Sequence, residues 1–252
     1  MPEKKEPINV HLRYDLERGK QRYPQVRELI IQSLAQSGMP EQAGRSENEQ
    51  AAWNYLVGQL ENAMVAVLMR KPLDIVELEE LTLELIDARG AAFDLGVNTI
   101  YLDKMLIEEL YKSYCLLLES KAHADATLFS SAIKKLAEEV AKLVITITHQ
   151  FEHELSHAHD QVHNLQQSLR SIFATFHLES DPTQYAGDPG EIEAQELALD
   201  ILEGSSDYLL GDEEVVKAID DHVYPYVINL KQEIAERKKI REQLDQQKGQ
   251  SA

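Results

Sequence analysis

The sequence predicts a mainly α-helical protein with a minor β element, an α+β chain. Three observations predict it. Apolar residues recur at three- and four-residue spacing through most of the chain, and capping and breaker residues punctuate these runs. One short stretch, Thr99-Ile100-Tyr101-Leu102, is instead β-branched and aromatic. With 252 residues the chain can bury one sizeable core, or a core with a smaller appended unit.

Residues 1–18 are charged and carry two prolines, which reads as an extended or poorly ordered arm. "YPQVRELIIQSLAQSG" has apolar Val26, Leu29, Ile30 and Leu34 before a glycine stop, the pattern of a short amphipathic helix. "MPEQAGRSENE" is a polar connector. "NEQAAWNYLVGQLENAMVAVLMRKP" then places Trp53, Leu56, Leu60, Met64 and Leu68 on one helical stripe that ends before Pro72. "LDIVELEELTLELIDARG" reads as a third, acidic amphipathic helix closed by Gly90.

The texture changes at Gly96 and Asn98, a turn signal before the strand candidate, after which Asp103 can cap a leucine-rich helix. Segment 126–178 carries Ile133, Leu136, Val140, Val144, Ile147, Phe151, Leu155 and Val162 at helical spacing. Its "LVITIT" lowers helix propensity, but the flanking periodicity argues for helix through it. "ESDPTQYAGDPG" is a loop. "EIEAQELALDILEG" is a helix that Pro189 can start and Gly204 stop. After "DEEVVKAIDDHVYPY" comes a charged tail helix with weak apolar spacing. The expected division is an N-terminal arm and helical region over 1–92, a core over 93–211 and a helical tail over 212–252.

Charge narrows the function classes. Lys and Arg number 25 against 44 Asp and Glu, a formal charge of −19. Such a surface repels phosphate backbones, so neither nucleic acid nor anionic membrane is the expected partner, whereas cationic protein segments are attracted. Cys115 is the only cysteine, which excludes an internal disulfide and an all-cysteine metal site. The first residues lack the apolar region of a signal peptide and no run reaches the length of a membrane span, so a cytoplasmic setting is expected.

The chemistry concentrates in "ITHQFEHELSHAHD", residues 147–160. His153-Glu154-Leu155-Ser156-His157 matches H-E-x-x-H. On a helix, positions four apart share a face, so both imidazoles can reach one cation. Zinc suits imidazole nitrogen and accepts three protein ligands plus a water, and the neighbouring Glu154 can take a proton from that water. The same stripe also suits the wet face of an amphipathic helix, because Phe151, Leu155 and Val162 point away from His149, His153 and His157. His149-Gln150-Phe151-Glu152-His153 spells the inverted H-x-x-E-H motif as well. The forward frame is preferred, since small Ser156 and Ala158 suit a helix beneath a cleft. His159 and His163 read as accessory or surface residues.

A carboxylate-bearing helix follows, with Glu191 in its first turn, 34 residues beyond His157. Upstream, the short strand is positioned to act as an edge that pairs with an extended peptide.

"NTIYLDKML", "HELSHAHD" and "PGEIEAQELALDIL" together resemble the zincin metallopeptidases of the glutamate-ligand branch. The last segment is similar to the E-x-E-A-x-x-x-A helix of the ImmA/IrrE-like and CAAX-protease-like groups. The resemblance covers roughly residues 96–205. It implies a zincin-like core preceded by a helical N-terminal region, with His153, His157 and Glu191 as zinc ligands and Glu154 as general base. One departure is Gln195, where the CAAX-type pattern has an aspartate four residues after the ligand glutamate. A carboxylate there would orient a ligand histidine, and an amide does so more weakly. Glu203-Gly204-Ser205-Ser206-Asp207 is similar to the thermolysin-type N-E-x-x-S-D segment, with Leu202 in place of the asparagine, and makes Glu203 the competing third ligand. Glu191 is preferred because its helix is clearer.

The implied activity is zinc-dependent hydrolysis of a peptide or protein substrate, with basic segments favoured by the acidic surface. Two rival readings remain open: an acidic, non-enzymatic helical interaction module, dimeric through the tail or the Trp53 helix, and a histidine-based metal sensor. Tyr185 or Tyr208 can stabilise an oxyanion. Cys115 reads as a buried small hydrophobe.

Overall fold

The computed structural model describes residues 15–39, 46–70, 82–87, 91–94, 99–123, 126–151 and 186–250, with side chains left aside at 91–94, 149–151 and 248–250. The described chain is mainly helical with a small sheet, as the periodicity predicts.

The N-terminal arm is shorter than expected. Helix α1 (Leu16–Arg22) already occupies its last residues, because the Asp15 side chain accepts the Arg18 N–H and so supplies an N-cap. Gly19 lets this helix lie directly on its neighbour, since a Cβ there would stand 2.5 Å from Val65 Cγ1. Helix α2 (Gln25–Gln36) buries Val26, Ile30 and Leu34, with Leu29 partly covered, and ends near Gly38 at φ +79°.

Helix α3 (Glu47–Arg70) is the axis of the fold. The five-residue stripe read from its sequence is only part of its buried surface, which also takes in Tyr55, Val57, Gln59, Asn62, Ala63, Val65, Ala66 and Val67. A helix covered on nearly all sides belongs inside the protein. Trp53 itself is 3% exposed, its side chain turned into the core.

The acidic helix expected over 73–90 is also corrected. Residues 82–86 form strand β1 (Thr82–Ile86), while most of the rest of that segment lies outside the described residues. The physical reason is visible in Thr-Leu-Glu-Leu-Ile: Leu83 is buried between exposed Thr82 and Glu84, an alternation of period two. Strand β2 (Ala91–Asp94) was not foreseen. Strand β3 (Thr99–Asp103) falls where the β-branched run places it. The order is β1-β3-β2, with β1 parallel to β3 in the register Leu83↔Ile100 and Leu85↔Leu102, and β2 antiparallel with Ala92↔Tyr101. The strand expected to offer a free edge is therefore the central one, hydrogen-bonded on both sides. It cannot accept a further strand.

Asp103 starts helix α4 (Lys104–His123) by accepting the Met105 N–H at 2.8 Å. Helix α5 (Ala126–Ile145) packs back on α4 and buries Ile133, Leu136, Val140 and Val144, the stripe predicted from spacing. It runs into a π-helical segment, Thr146–Phe151. Helix α6 (Pro189–Glu203) has Pro189 at its first position and Gly204 at its end, as the sequence indicates, and Asp188 as N-cap. A single 3-10 turn, Ser205–Asp207, leads to the final helix, α7 (Glu213–Gln250).

That last helix begins before "VYPY" and continues through Pro225. Its first half is no loose tail: Val215, Ile219, Val223, Val227, Leu230 and Ile234 form a buried stripe at intervals of three and four residues. It packs on α5 and α6. Buried side chains from the N-terminal helices, the strands and α7 join one hydrophobic cluster.

Candidate metal-binding site

The segment leading to H-E-x-x-H is anchored where α5 gives way to the π turn. The β-branched run Ile145-Thr146-Ile147-Thr148 crowds an α-helix at χ1. The helix continues, as the flanking pattern argues, but its register widens to i→i+5 hydrogen bonding. Ile147 and Thr148 are both buried, and β2, α3 and α6 pack against this turn. The Thr148 hydroxyl oxygen is buried with no hydrogen-bond partner among the described residues. His153, Glu154 and His157, together with Glu152, Ser156, Ala158, His159, His163 and Tyr185, lie outside the described residues.

Glu191 lies inside them, in the first turn of α6, and is 3% exposed. The turn is built by Asp188, whose Oδ1 accepts the N–H groups of Gly190 at 2.9 Å and Glu191 at 3.3 Å. The carboxylate therefore stands at the positive end of the helix dipole. One turn further, Gln195 is also buried. Its Nε2 donates to Glu233 Oε1 of α7 at 2.9 Å, and the same oxygen accepts from Arg237 Nε at 3.2 Å and Nη2 at 3.1 Å. The Gln195 Oε1 is buried and has no hydrogen-bond partner among the described residues.

Glu203 sits at the far end of α6, about 18 Å from Glu191 along the axis at 1.5 Å per residue. It is half exposed and forms an ion pair with Lys231 of α7. The two carboxylates cannot both serve one ion. Tyr208 is buried, and its hydroxyl donates to the Ile201 carbonyl at 3.3 Å, the role of a packed tyrosine. Cys115 is half-buried rather than fully enclosed, beside Tyr111, Leu116 and Glu119 on the wall of a shallow groove. Burial raises its thiol pKa, which disfavours the nucleophilic thiolate.

Among the described residues, no group of three or more His, Cys, Asp or Glu side chains is placed to hold a metal ion. Glu191 fits a ligand role by its chemistry, being a buried carboxylate oxygen donor on a rigid helix. Sequence reasoning did not find Thr148 or Glu233. Glu233 pairs with Arg237 four residues on, which in sequence looks like any exposed helical pair. No family model, curated protein or solved structure matches the chain. No helix of the described residues is long and apolar enough to cross a membrane.

Proposed function

We propose that the chain is a zinc-dependent peptidase of the zincin type, with His153, His157 and Glu191 as ligands and Glu154 as general base. One observation carries the reading: α6, with Glu191 buried in its first turn, packs against the π turn that ends at Phe151. A single residue, Glu152, separates Phe151 from His153, a chain span of at most about 7 Å. The helix bearing the candidate third ligand is thus docked on the segment that delivers the first. π turns recur at functional sites, and the widened register here falls directly before the motif.

Zinc, when bound, lowers the pKa of water and polarises a carbonyl. On a helix His153 and His157, four apart, would share a face and could hold the ion with Glu191 as the anionic oxygen donor. Glu154 takes the proton of the attacking water and passes it to the leaving amine, so that neither hydroxide nor amide anion has to form freely in solution. The net charge of −19 favours peptides with basic segments.

Metal analysis of the purified chain tests the proposal. One zinc per chain is expected, lost in His153→Ala and kept in His163→Ala. Glu154→Gln is expected to keep the metal and abolish cleavage of a peptide library, which also separates a peptidase from a metal sensor. A chain that takes up no zinc leaves the non-enzymatic helical module as the better reading.

A further inference from the structure

We infer that the outward face of α4 is the interface of a homodimer, in which a second copy of the chain lies antiparallel across it. Neither the H-E-x-x-H motif nor Glu191 takes part. Among the described residues, four large apolar side chains stand exposed, and three of them belong to α4 and α5: Met105 at 66%, Leu116 at 45% and Leu128 at 55%. A scattered apolar residue on a surface means little, but the two on α4 fall into a pattern. Met105, Glu109, Lys112, Leu116 and Glu119 follow one another at intervals of four, three, four and three residues. That is the seam spacing by which one helix packs along another. All five are exposed or partly exposed, whereas the opposite face of α4 buries Ile107, Leu110 and Leu117 in the core.

Symmetry identifies the occupant. About a two-fold axis level with Leu110 and Tyr111, an antiparallel copy sets Met105 against Leu116 of the second copy and Glu109 against its Lys112, and each pair occurs twice. Apolar meets apolar, and opposite charges meet. Lys104 falls beside Glu119 of the second copy in the same register. Sliding the copies by one heptad would instead face Glu109 with Glu119 and Lys112 with Leu116, so the charges fix the register. Within the chain, Lys112 lies 3.0 Å and Lys135 3.3 Å from the Glu109 carboxylate, so covering the face encloses no lone charge.

Net charge selects this face. Helices α4 and α5 carry six lysines and five glutamates, a charge of +1, which leaves −20 on the rest of the chain. Two copies of so acidic a protein repel each other elsewhere and can approach through this hairpin. A shallow groove beside Leu116, walled by Tyr111, Cys115 and Glu119, receives Met105 of the second copy, an unbranched side chain that fits irregular space. Two 20-residue helices side by side present a face of about 20 Å by 30 Å, or about 600 Å² per copy, at the lower limit for a specific interface. The dimer is therefore weak, with a Kd of about 1–100 µM.

Sedimentation equilibrium of the full chain from about 1 to 500 µM tests this, and the parent is expected to show a monomer–dimer equilibrium. Met105→Gln and Leu116→Gln should each weaken association about 10-fold. Lys112→Glu sets like charges opposite each other in a homodimer, and so does Glu109→Lys; each variant alone should be monomeric. Mixed in equal amounts, the two restore a Glu–Lys pair at both contacts, and a heterodimer should form. Circular dichroism of every variant should match the parent, because the substituted side chains lie outside the core.

A parent chain that stays monomeric throughout the range overturns the inference. So does a dimer that both charge variants retain, or failure of the two to associate when mixed. If Glu109→Lys does not fold, Lys112→Glu and Leu116→Gln decide: loss of the dimer in both sustains the inference, and its retention in either overturns it.

Discussion

The hydroxyl of Tyr55 on α3 donates to the Leu210 carbonyl at 2.9 Å, joining residues 155 positions apart. Around it, Gln59 Oε1 accepts the Leu210 N–H at 2.9 Å and Asn62 Nδ2 donates to the Tyr208 carbonyl at 2.7 Å. The central helix thus holds the backbone that leads into α7. Tyr55→Phe should destabilise the protein by about 0.5–1.5 kcal/mol, measured by urea unfolding.

The same residue sets an alkaline limit. Burial raises the Tyr55 hydroxyl far above its ordinary value, and burial pushes that of Tyr226 up to about 12. The folded state therefore holds these protons more tightly than the unfolded chain, whose tyrosines titrate near ~10. Their contribution is complete below about pH 10 and is lost as pH rises through the folded values. Stability should fall above about pH 10, and Tyr55→Phe should make that fall shallower. Urea midpoints at successive pH values check it.

Gly19→Ala should destabilise by about 1–3 kcal/mol, because the new methyl would meet Val65 Cγ1 at 2.5 Å and Met69 Sδ at 2.6 Å. Met69 can swing aside; Val65, β-branched and buried, cannot. Thermal unfolding reads the difference.

Arg27 Nη1 lies 2.7 Å from Glu61 Oε2, the guanidinium half exposed and the carboxylate nearly covered. Arg27→Met leaves a buried charge without its counterion and should cost about 1–2 kcal/mol, water reaching the exposed side limiting the loss. Arg27→Met combined with Glu61→Gln should recover part of it, which a double-mutant cycle measures.

The two candidate third ligands give opposite outcomes. Glu191→Ala should abolish stoichiometric zinc binding. Glu203→Ala should leave it unchanged, since that residue is paired with Lys231 at the other end of α6. Metal analysis of the two variants distinguishes them, and the reverse result would transfer the ligand role to Glu203.

Where local chemistry decides an element, the sequence discloses it. Asp103 caps its helix as read, and Pro189 and Gly204 bound α6. Strand β3 is visible because Thr99, Ile100 and Tyr101 favour a pleated surface over a helix. Strand β1 was hidden by its surroundings: Leu and Glu are good helix formers, and five alternating residues inside an acidic run resemble one helical face. Pairing with β3 overrides that propensity. Helix α7 was underestimated for a related reason, because its core residues alternate with charges and Pro225 suggests a break. Of the candidate site, the position of Glu191 in the first turn of α6 was legible from local sequence, but the contact of Gln195 with Glu233 of α7 was not. Contacts between distant segments leave no local periodicity.

The buried stripe of α7 also orders events in time. During synthesis from the N-terminus, α5 and α6 emerge before Val215, Ile219, Val223, Val227, Leu230 and Ile234 exist to cover them. Until the last helix arrives those apolar faces lack the stripe that covers them, an interval in which association with other molecules competes with folding.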